Sequence, residues 1–201
     1  MSPTPLQLDA LSELINIGVG HAAATLNQMV GSPIRLRVPT IKVLRLSGLA
    51  VELRQGPDDL LSFVRQPFAG FIKGTAALVF PPESAARLVA SLTGERMGSP
   101  DLDSVRSGTL SEVGNIVING VMGTLANILH VRLTYGLPTY LDDSITHLFG
   151  PSNGQGDPMV VLAHTHFVIE DLDIQGTILL ICEVLSFDAL LAAIDSISSD
   201  A

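Results

Sequence analysis

Cysteine occurs once in the 201 residues, as Cys182, so no disulfide framework and no cysteine-based metal site forms within the chain. It lies in the apolar run "GTILLICEVL", where a strand buries it as a small hydrophobe and nothing near it stabilises a thiolate. Charge is also sparse: 15% of residues are charged against 47% hydrophobic, a balance that excludes a disordered chain. No uninterrupted apolar run approaches the roughly 18 residues of a membrane span. The opening "MSPTPLQLDALSE" lacks the basic-then-apolar pattern of a secretory signal. The expectation is a soluble, cytoplasmic protein without membrane insertion.

Basic residues are rarest in the second half. Residues 1–100 carry nine Lys and Arg against seven Asp and Glu, net +2, and residues 101–201 carry two against thirteen, net −11. A total of −9 disfavours nucleic acid as a partner, because phosphate binding needs clustered Lys and Arg to displace counterions. The Gly-rich stretch "GPSNGQGDP" at 150–158 lacks both the GxxxxGK[ST] pattern and any Lys, and is read as a hairpin connection.

What the chain does contain is a repeat. At an offset of 99, Leu11, Ser12, Glu13, Asn16, Ile17, Thr25, Leu26 and Pro39 fall on Leu110, Ser111, Glu112, Asn115, Ile116, Thr124, Leu125 and Pro138. At an offset of 102, Gly74, Thr75, Leu78, Ser84, Leu88 and Ala90 fall on Gly176, Thr177, Leu180, Ser186, Leu190 and Ala192. The organisation expected is one domain made of two repeats, about 8–94 and 108–198, joined by a loop at 94–104.

Each copy opens with a helix, at 8–30 and 108–129, followed by strand-like segments. In the first copy these are "PIRLRVP", "GLAVELR" and "GFIKGTAALVF", then a helix in "PPESAARLVASLTG" with Pro in its first turn and Gly94 past its end. In the second they are "VRLTYG", "PMVVLAHTHFVI" and "IQGTILLICEVL", then a last helix capped by Ser186. The fold class is therefore α+β: an internally duplicated, pseudo-two-fold arrangement of antiparallel sheet with the two opening helices on the outside.

Leu11, Ile15, Gly18 and Ala22 have the spacing of a buried helical stripe, repeated by Leu110, Gly114, Val117 and Val121. Asp9, Glu13 and Asn16 sit about 200° around the same helix and should point away from the core. Asn costs roughly half a kcal/mol against Ala inside a helix, so its recurrence after Glu in both copies invites a functional explanation. A carboxylate and a carboxamide one turn apart suit docking a cation and orienting a water better than forming a covalent intermediate. His164 and His166 alternate along one strand and, without a third ligand, are read as a polar strand face rather than a metal site.

The arrangement of Asp or Ser, three residues, Glu, two residues, Asn, twenty-two residues, Pro is met by Asp9, Glu13, Asn16 and Pro39. It resembles the signature of the CheC/CheX/FliY chemotaxis phosphatase family, and the duplicated plan is most like the two-site CheC member. The second copy supplies Glu112, Asn115 and Pro138, with Gly108 where the family has Asp or Ser. The resemblance implies hydrolysis of the aspartyl phosphate on a CheY-type response regulator. It assigns water orientation to Asn16 and Asn115, docking to Glu13 and Glu112, and an accessory role to Asp9. Pro39 and Pro138 shape the surroundings. It also implies that this chain binds no cofactor of its own, magnesium being held by the partner receiver domain. The alternative, from another class, is a non-catalytic adaptor for a receiver or for a CheD-like deamidase.

Overall fold

Helix α1 (Pro5–Val30) starts ahead of the apolar stripe that marks it in the sequence. Thr4 Oγ1 accepts the Gln7 N–H at 3.2 Å and Gln7 Oε1 accepts the Thr4 N–H at 2.9 Å, a reciprocal cap that leaves Pro5 where its missing N–H costs nothing. The computed structural model describes residues 2–30, 33–54, 56, 59–145, 157–169 and 172–199. The Gly-rich stretch expected to be a hairpin connection lies almost wholly outside them.

The short α2 (Leu49–Glu52) follows a 3-10 turn at Leu46–Gly48. It corrects the strand expected at "GLAVELR": Leu49 is buried while Val51 is 81% exposed, and Arg54 ends the turn at φ 55°. Helix α3 (Pro82–Thr93) forms as expected, with Gly94 in the left-handed conformation donating its N–H to the Ala90 carbonyl.

Helix α4 (Pro100–Ile128) begins eight residues before the expected start at 108, which shortens the connection between the halves to 94–99. At its far end the Val131 N–H reaches the Ala126 carbonyl at 2.9 Å while His130 takes φ 54°, the motif in which glycine is usual. Helix α5 (Val184–Ser199) begins before Ser186, so that residue is not its N-cap. Ser186 Oγ instead accepts the backbone N–H of Lys73 at 3.0 Å.

Seven strands among the described residues form one sheet: β1 (Ile34–Arg45), β2 (Leu60–Gly70), β3 (Gly74–Phe80), β4 (Leu133–Tyr135), β5 (Thr139–Ser144), β6 (Met159–Ile169) and β7 (Leu172–Cys182). Strand β5 and most of β2 were not anticipated. The order is β1-β6-β7-β3-β2, with β4 and β5 sharing the other edge of β2, and every pairing is antiparallel. It has the same form from either end. The outer strand of each half pairs with the hairpin of the other half, and the two hairpins meet where β3 lies against β7.

One face of the sheet carries α1, α3, α4 and α5 around the main core, which includes Leu11, Ile15, Leu110, Val117 and the packed rings of Phe80 and Phe167, 5.3 Å apart. The other face holds a smaller core of Leu61, Phe63, Leu162 and Leu179 under Leu49 of α2 and Ile145. No helix among the described residues is long and apolar enough to cross a membrane.

Candidate functional site

Helices α1 and α4 pack against each other through their glycines. A Cβ on Gly18 would lie 2.6 Å from Val121 Cα, and one on Gly120 would lie 2.9 Å from Ala22 Cβ, so the backbones meet where only glycine fits. The expected buried stripes, Leu11–Ile15–Gly18–Ala22 and Leu110–Gly114–Val117–Val121, are both buried. This packing fixes which way each helix faces.

On α1 the outward residues are Asp9, Glu13 and Asn16, all exposed. None of their side chains has a hydrogen-bond or ion-pair partner among the described residues, so a carboxylate and a carboxamide are offered to solvent one turn apart. On α4, Glu112 is exposed and Asn115 half-buried. Gly108, which takes the place of Asp9, is exposed with open space where a Cβ would be. The structure therefore brings Glu and Asn together on each helix, and leaves the second helix without the accessory carboxylate.

The carboxamide of Asn115 is engaged: Asn119 Nδ2 donates to Asn115 Oδ1 at 2.8 Å. Comparing the two halves of the sequence misses Asn119, because its counterpart at an offset of 99 is Gly20 and the two do not match. The only signal available was the four-residue spacing that places the two Asn side chains on one helix face. Between the helices, His21 Nδ1 and Thr124 Oγ1 lie 3.1 Å apart.

The two prolines stand where the outer strands gain a residue. Arg37 faces His166 and Thr40 faces His164, so Val38 and Pro39 together oppose Thr165 alone. This bulge shifts the alternation: Ile34, Leu36 and Val38 before it, and Ile41 and Val43 after it, all turn toward the main core. In the other half Tyr135 faces Phe68 and Thr139 faces Arg65, which leaves Gly136, Leu137 and Pro138 opposite Gln66 and Pro67. Pro39 also lines a cavity of about 500 Å³ on the sheet face away from α1 and α4, so it stands apart from Glu13 and Asn16.

His164 and His166 line that cavity with Lys42, Glu52 and Arg54. His166 Nδ1 lies 2.9 Å from Asp173, and Lys42 pairs with Glu52 at 2.6 Å. Burial lowers the pKa of His164 from its usual 6.5, opposed in part by the Glu52 carboxylate. The Lys42 ammonium, through its hydrogen bond, lowers that of Glu52. Among the described residues no three His, Cys, Asp or Glu side chains gather as a metal site. Cys182 is buried, and burial pushes its thiol up to about 12, an inert structural sulfur.

Residues 6–43, covering most of α1 and the first part of β1, match the CheC-like family model. The chain is 26% identical over 175 residues to the CheY-P phosphatase CheC of Bacillus subtilis (strain 168), spanning 84% of this chain and 79% of that protein. Its fold matches Thermotoga maritima FliY with a TM-score of 0.77 at 18% identity, over 98% of this chain and 99% of that one. It also matches a chain of the FliG–FliM complex from H. pylori, with a TM-score of 0.67 at 12% identity over 94% of this chain and 99% of that one, and the FliM middle domain from H. pylori, with a TM-score of 0.61 at 13% identity over 94% of this chain and 99% of that one. The chain is thus similar to the CheC-like family over residues 6–43 and to B. subtilis CheC over most of its length, and it has the α+β fold seen in FliY.

Proposed function

We propose that the chain hydrolyses the aspartyl phosphate of a CheY-type response regulator, with Asn16 and Asn115 orienting the attacking water and Glu13 and Glu112 docking the receiver. The observation that carries this reading is the pair of outward faces, each presenting Glu and, one turn later, Asn on a helix whose other side is buried. The similarity to the CheY-P phosphatase CheC of B. subtilis supports the substrate class.

In this reading the receiver brings the phosphorylated aspartate and its magnesium ion. The helix completes the site. A carboxamide oxygen accepts a hydrogen bond from the incoming water, so that a water lone pair faces phosphorus. The oxygen of water bonds to phosphorus, the bond to the aspartyl oxygen breaks, and inorganic phosphate and a free carboxylate result. Asn neither gains nor loses a proton in this step, which suits a residue with no base beside it. Each Glu pairs with a receiver lysine, and Asp9 tunes the first site. Pro39 and Pro138 keep the outer strands in register behind the helices. The chain is then one domain of two copies, 8–94 and 108–198, each presenting a site.

A second reading, a non-catalytic adaptor, is favoured by the likeness to the FliM middle domain and to a chain of a FliG–FliM complex, since a shared fold does not fix activity. One assay separates the two: mix the protein with phosphorylated receiver and magnesium and follow phosphate release. Acceleration by the wild type, lost in Asn16→Ala/Asn115→Ala with the thermal midpoint retained, is the expected result. A double variant as fast as the wild type overturns the water-orienting role, and no acceleration by the wild type leaves the adaptor.

A further inference from the structure

We propose that Asn119 is a positioning residue for Asn115, fixing its carboxamide in one orientation and making the second site preorganised where the first is loose. This rests on the phosphatase reading above. The two helices differ at one decisive place: four residues after the orienting Asn, α4 has Asn119 and α1 has Gly20. Asn119 donates to Asn115 Oδ1 at 2.8 Å, whereas Asn16 has no such partner among the described residues and the space beside Gly20 is open.

The terminal torsion of an Asn side chain is soft and broad, so an untethered carboxamide samples many orientations in the docked complex too and loses that freedom only as it orients the attacking water. Donation into Oδ1 removes the freedom in advance. It occupies one of the two oxygen lone pairs and leaves the other, with both Nδ2 protons, for water. A hydrogen bond accepted by the oxygen also polarises the amide and strengthens its N–H groups as donors. The tether therefore acts on the rate of the oriented step, not on docking, which belongs to Glu112.

A surface role alone would predict something different. An exposed Asn inside a helix disfavours the helix slightly, so its removal would raise stability and leave kinetics untouched.

The test isolates each site. In an Asn16→Ala background, Asn119→Ala lowers kcat toward a phosphorylated receiver with magnesium by roughly two- to tenfold, the range of one net hydrogen bond, and leaves KM in place. In an Asn115→Ala background, Gly20→Asn, entering open space, raises kcat of the first site by a similar factor. Side-chain relaxation of the 15N-labelled Asn115 amide in the free protein shows a lower order parameter in Asn119→Ala. Unchanged kcat in both backgrounds, or a change confined to KM, overturns the proposal, as does an unchanged order parameter. If Asn16→Ala/Asn115→Ala keeps the full rate, the phosphatase reading fails instead, and the relaxation measurement still decides whether Asn119 holds Asn115.

Discussion

The two sides of α1 tolerate change very differently. On its inner side Gly18 has no room for a single carbon, because the α4 backbone lies against it, and Leu11, Ile15 and Ala22 are buried around it. On its outer side Asp9, Glu13, Asn16 and Gly20 stand in solvent. Helix α4 repeats the division, with Asn115 drawn half inward and tethered. The inner stripe holds the fold and the outer stripe presents polar groups to solvent, half a turn apart on one rod. Substitutions should therefore move stability or activity, rarely both.

The harshest way to break this division is Gly18→Leu. The side chain must push two backbones apart, and about 3 kcal/mol of stability should be lost, the upper end of overpacking costs. Thermal melting should show a drop of roughly 6–12 °C for a chain of this length. A wild-type melting curve would mean that the helices do not meet at this residue. Next in size is Glu13→Lys with Glu112→Lys. Receiver binding, measured by titration, should weaken about tenfold, or ~1.4 kcal/mol, while stability stays within ~0.5 kcal/mol. Unchanged affinity removes the two carboxylates from docking.

Gly20→Ala sharpens the contrast with Gly18 from two positions away. Its Cβ meets nothing within 4 Å, so relief of the helix-interior glycine should add ~0.5–1 kcal/mol and raise the melting midpoint. A loss here would show that the outer face is covered. The smallest effect belongs to His164, on the sheet face away from both helices. Its folded-state pKa lies below the unfolded value near 6.5, so the unfolded chain binds more protons as pH falls through that value. Stability contributed by the neutral imidazole is present above it and lost on acidification toward the lowered folded value. Denaturant titrations of His164→Gln should show a flatter pH dependence below about 6.5 than the wild type, with no change in phosphate release. The same slope in both proteins would place the acid sensitivity elsewhere.

The helices carrying Glu13 and Glu112 were legible because an apolar stripe at helical spacing is a long-range pattern that a single polar residue does not erase. Strand β2 was not. Leu61, Ser62, Phe63 and Val64 are buried in succession, with cores on both faces of the sheet, so the run shows no alternation, and it contains Pro67, a residue that strands rarely hold. That proline is accommodated where the pairing with β4 gives way to that with β5. "GLAVELR" misled in the opposite direction: its alternation mimics a strand, while Leu49 and Leu53, four apart, both pack on the smaller core as a helix requires. Ser186 was misread because its hydroxyl serves a distant backbone N–H, a contact that no local pattern announces. Asn119 stayed hidden for a related reason, since repeat matching finds what two halves share and Asn119 is where they differ.

The exchange of outer strands has a consequence during synthesis. Strand β1 ends at Arg45, and its partner β6 begins only at Met159. At roughly 5–20 residues per second, the first strand waits about 6–23 s with both edges open, long enough for an unpaired apolar strand to find another chain. Arg35, Arg37, Lys42 and Arg45, spaced along β1, put positive charge on that waiting strand, the usual protection against edge-to-edge association. The basic surplus of the first half thus gains a use before the sheet exists: it keeps nascent chains apart until the acidic half arrives.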